Sequence, residues 1–312
     1  MQKYFKAYKW SNIFAMLRNQ KKSPEVCGDN FKGRLVVITG ATSGIGRAAA
    51  VKYASMGADI LSINRNSQKS RDLCSVLESE FGVDSSFITA DFSKLADVHA
   101  AGKELVKIER DIDVLIHNAG VFVTKRTITG DGLEMVFQTN YLSTFILNHY
   151  ILEKMKKQGR GRIIYVNSEA HRFAVWGLRM DDLDWGKRRY SGLKSYGSAK
   201  TAQLLSLLKF NELFEGSGVS INAMHPGNVK TNSGQINGPI YKFFKKTFVD
   251  RSASTADSAA EALYYLGASD KMAGVSGKFF NLTTEEDPAP PALDIQAAEK
   301  LWEMSKQLGG LD

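Results

Sequence analysis

A tyrosine followed four residues later by a lysine occurs twice in the sequence, as Tyr196 with Lys200 and as a second pair that begins at Tyr190. Residues four apart on a helix share one face. An ammonium close to a phenol favours the phenolate and lowers the phenol pKa from about 10, which makes the tyrosine a usable acid and base. Tyr196 leads into an apolar helical run, whereas Gly192 breaks the other pair. We therefore predict that Tyr196 is the acid/base and that Tyr190 is a loop residue near the pocket.

A glycine-rich turn comes directly after an apolar run and opens a helical one. Residues 39–46 read TGATSGIG and follow the β-branched run RLVVIT. Glycine lets the backbone turn tightly and approach a pyrophosphate, whose charge is met by the free amides and positive dipole end of the following helix. The turn predicts a dinucleotide site whose contacts come from Gly40, Thr42, Ser43, Gly44, Ile45 and Gly46.

The elements that must position these residues alternate between short β-branched runs and longer helical patterns. Strands are predicted at 34–39, 58–63, 85–90, 112–117, 162–167, 219–224 and 277–281. Helices are predicted at 44–56, 67–81, 94–109, 131–157, 196–214 and 255–267, with a last one near 294–308. This alternation predicts an α/β fold with a single Rossmann-like, doubly wound parallel sheet of about seven strands and helices on both faces.

Further motifs follow in chain order. HNAG stands at 117–120 after the fourth predicted strand, Asn140 lies in a long helix, Ser168 follows the fifth strand, and HPGNVKT spans 225–231. Together with the glycine-rich turn and Tyr196 these motifs span about 200 residues, and their order resembles the short-chain dehydrogenase/reductase family. DLDW at 182–185, GKFF at 277–280 and LWEMS at 301–305 look like its retinol dehydrogenase and WW-domain oxidoreductase-like branch.

The resemblance implies that residues 31–312 form one catalytic domain that interconverts an aldehyde or ketone and an alcohol by hydride transfer. In reduction, Tyr196 would protonate the carbonyl oxygen while Ser168 holds that oxygen by a hydrogen bond as negative charge develops on it. Asn140 would bend its helix and hold a water that links Lys200 to solvent for proton resupply. Oxidation of an alcohol would use the same residues in reverse.

The resemblance also assigns further contacts with a nicotinamide dinucleotide. Asp91 matches the position that hydrogen-bonds the adenine amine; its alternative role is to cap the helix after Phe92, which Ser93 would do better. His117 replaces the first asparagine of the family's NNAG and is interpreted as a supporting strand-end histidine. The remaining contacts assigned to the cofactor are Phe92, Asn118, Ala119, Gly120, Tyr196, Lys200, Pro226, Gly227, Val229 and Thr231.

The end of the second strand indicates which nicotinamide cofactor is used. An acidic residue there would bind a ribose 2′-hydroxyl and repel a 2′-phosphate. Asn64 stands where NAD-preferring family members carry Asp, and Arg65 follows where NADP-preferring members carry a basic residue. The sequence therefore favours NADP(H). Arg47 either adds to the phosphate site or is a solvated helix residue.

Two aromatic segments are expected to line the substrate pocket. One is the connection 169–195, and the other is a loop near 228–254 with a helical stripe of Ile240, Phe243, Phe244 and Phe248. This stripe is explained equally by a lid over an apolar substrate and by a small helix packed on the domain. The branch resemblance suggests a lipophilic aldehyde, ketone or alcohol, without separating retinoid, steroid and fatty-aldehyde substrates.

Composition and charge argue against several other classes. With 312 residues, 43% of them hydrophobic, the chain can build a core without disulfides or metals, and no metal site is predicted. Six cations precede the first acid, Glu25, and leave +2 of the formal charge of +8 for residues 23–312. A nucleic-acid surface on the body is therefore not expected. Because no apolar run is long enough to span a membrane or direct export, we expect an intracellular, cytoplasmic protein.

Residues 1–30 form a basic, aromatic extension and linker, in which one helical stripe consists of Trp10, Ile13, Phe14 and Leu17. The stripe either packs on the protein's own body or a second subunit, or lies on an anionic membrane surface as a peripheral contact through residues 1–22. The alternative to an enzyme is a nucleotide-binding scaffold or sensor that uses this extension to bind a partner or membrane. A homodimer or homotetramer is expected because family members commonly assemble so.

Overall fold

Runs of β-branched and aliphatic residues form one sheet in the computed structural model, which describes residues 3–8, 18–19, 22–227 and 256–311. Its strands are β1 (Leu35–Thr39), β2 (Asp59–Asn64), β3 (Ser85–Thr89), β4 (Val114–His117), β5 (Gly161–Val166), β6 (Val219–His225), β7 (Phe279–Asn281) and β8 (Thr284–Glu286). Their order is β3-β2-β1-β4-β5-β6-β7-β8, and neighbours are parallel except for β7 and β8. The predicted doubly wound α/β fold is confirmed.

Helices connect the strands along the chain. They are α1 (Gly44–Ser55), α2 (Ser67–Phe81), α3 (Leu95–Lys107), α4 (Met135–Phe137, continuing through a π-helical turn at Gln138–Leu142 to Ser143–Gln158), α5 (Gly192–Leu213), α6 (Ala256–Ala268) and α7 (Ile295–Gly309). Short 3-10 helices occur at Phe5–Ala7, Glu169–Phe173, Asp270–Met272 and Pro290–Leu293. Among the helices of these described ranges, none combines the length and apolarity needed to cross a membrane.

The structure differs from the sequence prediction by more than two residues at three elements. Helix α4 begins at Met135 and not at residue 131, because the Glu134 side chain caps it by accepting from the Phe137 amide. An eighth strand, β8, pairs antiparallel with β7. The residues of β8, TEE, show no apolar alternation, so this strand is recognised by its pairing with β7 and not by its sequence pattern. Helix α5 begins at Gly192 and not at residue 196, because the Ser191 side chain caps it by accepting from the Lys194 amide. Tyr190 therefore lies before the helix, as predicted.

Each face of the sheet is covered by its own group of helices. Apolar residues of α3, α4, α5 and α7 form a core on one face, and those of α1, α2 and α6 form a core on the other. Because parallel strands end at the same edge, the segments that follow β1, β2, β4, β5 and β6 meet there, where the strand order reverses between β1 and β4. The predicted site residues follow these five strands, except for Asp91 and Phe92, which follow β3 at the same edge.

The described part of the N-terminal extension contacts the C-terminal tail. Lys3 Nζ and Tyr4 Oη each donate to Asp294 Oδ2 at 2.6 Å. Farther along, Asn19 Nδ2 donates to Glu286 Oε1 at 3.0 Å. The stripe of Trp10, Ile13, Phe14 and Leu17 lies outside the described residues.

Candidate active site

The glycine-rich turn between β1 and α1 is held by the segment that follows β4. Asn118 Nδ2 donates to the carbonyl oxygens of Thr39 (3.1 Å) and Gly40 (2.9 Å), and the Asn118 and Ala119 amides donate to Thr39 Oγ1, each at 3.0 Å. A Cβ on Gly46 would lie 2.3 Å from the Gly40 oxygen and 2.4 Å from Asn118 Nδ2. Only glycine fits there, and α1 begins within the glycine-rich turn, at Gly44, so that its N-terminus faces the place where a pyrophosphate would bind.

Asn64, at the end of β2, supports this turn from inside. Its Oδ1 accepts from the Ala41 amide at 2.7 Å, and its Nδ2 donates to Ser62 Oγ (2.9 Å) and Ser70 Oγ (3.1 Å). The side chain is 3% exposed. Arg65, the next residue, is exposed at the same edge of the sheet, as is Arg47 on α1. Asn64 is therefore used to support the glycine-rich turn, whereas the exposed Arg65 side chain is accessible to a cofactor at this strand end.

Asp91 and Phe92 follow β3. Asp91 Oδ1 accepts from both the amide (3.0 Å) and the hydroxyl (2.8 Å) of Ser93, which closes a local turn. Lys94 stands at the N-cap of α3, so the capping role considered for Asp91 and for Ser93 is wrong. Phe92 is buried. The predicted contact of Asp91 with adenine stays a prediction.

Tyr196 and Lys200 lie on one face of α5. Lys200 Nζ is 5.6 Å from the centroid of the Tyr196 ring, and Phe122 packs edge-on against the same ring with centroids 5.7 Å apart. Tyr196 is half-buried, whereas Lys200 is 3% exposed. The rival Tyr190 donates instead to Glu134 Oε1 at 3.1 Å. Only the Tyr196 pair has the helical geometry that the prediction required.

Ser168 lies near α5 because the backbone that follows Ser168 packs closely against the backbone of this helix. Its Oγ accepts from the Ala170 amide at 3.1 Å and caps the 3-10 helix Glu169–Phe173. A Cβ on Gly197 would lie 2.4 Å from the Ala170 oxygen, so the absence of a side chain on Gly197 lets α5 pack against this segment. Thr201 Oγ1 adds a bond to the His171 oxygen at 3.1 Å.

The Lys200 ammonium is buried and bonded only to uncharged acceptors among the described residues. Nζ donates to the Val166 oxygen at 2.7 Å and to Gln203 Oε1 at 3.1 Å. Burial lowers the pKa of Lys200 to about 7, because desolvation disfavours the charged form. The group therefore changes charge in the range in which an enzyme at neutral pH works.

Asn140 sits in the π-helical turn of α4 and is fully buried. Its Oδ1 accepts from the Val121 amide at 2.7 Å and its Nδ2 donates to the Val121 oxygen at 2.9 Å. Its own backbone oxygen accepts from Gln203 Nε2 at 2.8 Å. Asn140 thus holds the segment that follows Asn118, Ala119 and Gly120, and its helix forms a π-helical turn at this position. The predicted bend and the bound water stay predictions.

Two site residues were missed by the sequence analysis, Gln203 and Asn167. Asn167 Nδ2 donates to Gln203 Oε1 and to the Lys200 oxygen, each at 3.0 Å, and Asn167 Oδ1 accepts from the Ser168 amide at 2.8 Å. The signal for Gln203 was a polar residue three positions after Lys200, within a run of leucines that must face the core. These two amides connect Ser168, Lys200 and Asn140.

His117 and the loop after β6 complete the predicted set. Burial lowers the pKa of His117 to about 4, and its Nε2 pairs with Asn148 Oδ1 at 2.7 Å, so it supports the sheet as a neutral ring. Pro226 and Gly227 follow β6 directly at the same edge. Val229, Thr231, the loop near 228–254 and its aromatic stripe lie outside the described residues.

Known proteins resemble this chain in sequence and in fold. Residues 34–179 match the short chain dehydrogenase family. Human retinol dehydrogenase 13 is 32% identical over 287 residues, which cover 90% of this chain and 86% of that protein. The chain belongs to the short-chain dehydrogenase family. The WW domain-containing oxidoreductase of Pongo abelii is 28% identical over 90% of this chain and 69% of its own, which supports the retinol dehydrogenase-like branch.

A solved structure agrees with this membership. The crystal structure of an uncharacterized protein from Mycobacterium paratuberculosis superposes with a TM-score of 0.70 at 26% identity, covering 93% of this chain and 97% of that one. The family and branch resemblance predicted from the motifs is thereby confirmed. As a member of the family, the protein is an oxidoreductase of carbonyl and alcohol groups that uses a nicotinamide cofactor.

Proposed function

We propose that the protein is an NADP(H)-dependent oxidoreductase that interconverts a lipophilic aldehyde or ketone and its alcohol, with Tyr196 as acid and base. The observation that carries this proposal is the position of the buried Lys200 ammonium, 5.6 Å from the Tyr196 ring centroid on the same face of α5. The cofactor, when bound in the glycine-rich turn, supplies or accepts the hydride.

The protein's own residues handle the proton and the developing charge. In reduction, Tyr196 gives its phenolic proton to the substrate oxygen, and Ser168 donates a hydrogen bond to that oxygen as it becomes negative. When Tyr196 has given up its proton it is a phenolate, and the nearby positive charge of Lys200 stabilises that phenolate. Asn140 and Asn167 hold the surrounding backbone, so that these groups need little rearrangement when the substrate binds.

NADP(H) is supported by the absence of an acid at the end of β2 and by the exposed Arg65 there. A guanidinium binds a 2′-phosphate by paired hydrogen bonds and by charge. We therefore expect Arg65→Ala to raise the Kd for NADPH about tenfold or more and to leave the Kd for NADH nearly unchanged. Arg71→Ala, an exposed arginine on α2, is the matched control; equal weakening of both cofactors in Arg65→Ala contradicts the preference.

A lipophilic substrate is supported by the relatives and by the connection that follows Ser168. Two matched relatives are a retinol dehydrogenase and an oxidoreductase of the same branch. In the connection 169–195, Phe173 and Trp176 are 52% and 54% exposed, which leaves aromatic surface beside the segment that carries Ser168. An apolar substrate would cover such surface.

The deciding experiment measures NADPH and NADH oxidation over aldehydes and ketones graded from short and polar to long and apolar. Tyr196→Phe should lower kcat by about a thousandfold, since general acid catalysis contributes roughly 10²–10⁴-fold. Tyr190→Phe, the matched control outside α5, should retain kcat. Turnover that survives in Tyr196→Phe, or disappears in Tyr190→Phe, would refute the assignment of the acid.

We further infer that the extension packs on the body of the protein, supported by the contacts of Lys3 and Tyr4 with Asp294 and of Asn19 with Glu286. Peripheral membrane contact through residues 1–22 and a homodimer or homotetramer inside the cell are separate proposals. Co-sedimentation with anionic vesicles, with and without residues 1–22, tests the first. Light scattering during gel filtration tests the second.

A further inference from the structure

Gln203 lies at the centre of the hydrogen-bond network around Lys200. Its Oε1 accepts from Lys200 Nζ at 3.1 Å and from Asn167 Nδ2 at 3.0 Å, and its Nε2 donates to the Asn140 oxygen at 2.8 Å. The side chain is 1% exposed. One buried amide therefore links Lys200, on its own helix, to the segment before Ser168 and to the π-helical turn of α4.

The orientation of this amide is determined by its partners. A lysine ammonium can only donate, so the oxygen of Gln203 faces Lys200; a backbone carbonyl can only accept, so the NH2 group faces Asn140. Glutamine is the side chain of this length that offers both an uncharged acceptor and a donor. A glutamate would direct a second oxygen at the Asn140 carbonyl, and an apolar side chain would leave the Asn140 oxygen without this donor.

The uncharged acceptor matters because Lys200 acts through its charge. A carboxylate about 3 Å from the ammonium would offset the positive charge felt by Tyr196 and would stabilise the protonated lysine. With Gln203 and the Val166 oxygen as partners, the ammonium is bonded without being neutralised. The Asn140 oxygen is joined to Lys200 through a group that neither takes up nor releases a proton.

We propose that Gln203 is a positioning residue of the active site: its amide holds Lys200 against Asn140 and Asn167 by uncharged bonds, so that the positive charge of Lys200 stays available to Tyr196. This inference rests on the proposed function of Tyr196. Gln203 contacts none of the reacting atoms and acts through Lys200.

Most titratable groups on the elements around Lys200 are neutral above about pH 5, so they stay neutral over the range in which Lys200 changes its charge. Burial lowers the pKa values of His117 on β4 and His171 on the 3-10 helix to about 4 and about 3, and it raises those of Tyr165 on β5 and Tyr141 on α4. Glu169 and Arg172 form an ion pair on that 3-10 helix, and Arg172 also contacts Glu286. Burial raises the pKa of Glu169 to about 7, and because Glu169 is present in every variant, we expect its titration to cancel when the variants are compared.

The test compares Gln203→Glu and Gln203→Met with the wild type. Gln158→Glu is the matched control, because the Gln158 amide also bridges a backbone N–H and carbonyl, both of Ile112, at the opposite edge of the sheet. The ammonium of Lys200 is titrated by NMR of protein labelled with ¹³C at lysine Cε, with its signal assigned by loss in Lys200→Met. The pH profile of kcat for alcohol oxidation is measured in parallel, and thermal melting checks that each variant folds.

We expect Gln203→Glu to raise the Lys200 pKa by at least one unit and to move the midpoint of the oxidation profile upward by at least half a unit. Gln203→Met, which is uncharged and of similar size, should lower the Lys200 pKa and reduce kcat tenfold or more with KM changed less than threefold. If Gln203→Glu does not fold, the result for Gln203→Met alone decides whether Gln203 positions Lys200. Gln158→Glu should leave both quantities within about 0.2 unit.

Two results would overturn the inference: a Lys200 titration identical in all variants, or Gln203→Met with wild-type kcat. Failure of the proposed function is distinguished by Tyr196→Phe. If the wild type turns over and Tyr196→Phe does not, unchanged Gln203 variants refute the role of Gln203 alone. If the wild type turns over no substrate, the NMR titration still shows whether Gln203 controls the charge of Lys200.

Discussion

Lys200→Met is expected to stabilise the protein below pH 7 while removing its activity. Burial lowers the pKa of Lys200 from its ordinary 10.5 to about 7, and no carboxylate within the described residues bonds its Nζ. A difference of about 3.5 pKa units at 1.36 kcal/mol each gives an upper limit of about 5 kcal/mol for the cost of the folded charge. Methionine fills a similar volume but gives up two hydrogen bonds, worth about 1–1.5 kcal/mol each. The net gain expected at pH 6 is about 2 kcal/mol.

This gain should depend on pH in a stated direction. Between pH 7 and 10.5 the unfolded chain binds the lysine proton and the folded protein has released it, so the unfolding free energy of the wild type rises with pH. The unfavourable free energy of burying the protonated Lys200 is therefore fully present below pH 7 and declines above pH 7. From pH 6 to pH 9 the wild type should recover about 3 kcal/mol relative to Lys200→Met, which removes the advantage of the variant.

The assay is urea unfolding of both proteins at pH 6, 7.5 and 9, with kcat measured on the same samples. Lys209→Met is the matched control: it lies on the same helix, and its side chain is 20% exposed and paired with Glu212 at 2.6 Å. That variant should change stability by less than about 1 kcal/mol at every pH. A Lys200→Met protein that is less stable than the wild type at pH 6, or a difference that does not vary with pH, would refute the reasoning.

Two further predictions concern packing and charge near the site. Gly46→Ala should abolish NADPH binding in a fluorescence titration and lower the Tm, since its Cβ would lie 2.4 Å from Asn118 Nδ2; Gly28→Ala, where nothing lies within 4 Å, should change neither. Glu169→Gln should remove a pH dependence of the wild type. Burial raises the pKa of Glu169 to about 7, so wild-type stability should fall by about 1–3 kcal/mol relative to the variant between pH 4.5 and 7, and parallel curves from urea unfolding would contradict this.

The fold was predictable from sequence because its signals are local and repeated. Buried parallel strands require continuous apolar runs, such as Leu35–Thr39, and helices between them show a different period, so the α/β alternation is present in the order of residues. β8 was missed because three polar residues become a strand only through pairing with β7. The start of α5 was missed because a serine cap has a weak signal beside a glycine.

The identities and order of Ser168, Tyr196 and Lys200 were also present in the sequence, because each stands in a motif tied to a strand end or a helix face. Their surroundings were decided by tertiary structure. The hydrogen bonds of Gln203 join three segments that are far apart in the chain. The buried Asn64 side chain accepts a hydrogen bond from a loop that begins more than 20 residues earlier. Spacing along one chain specifies which residues share a helix face. It cannot specify which groups from other elements fill the hydrogen bonds of a buried amide or remove water from an ammonium, because those depend on how the elements pack.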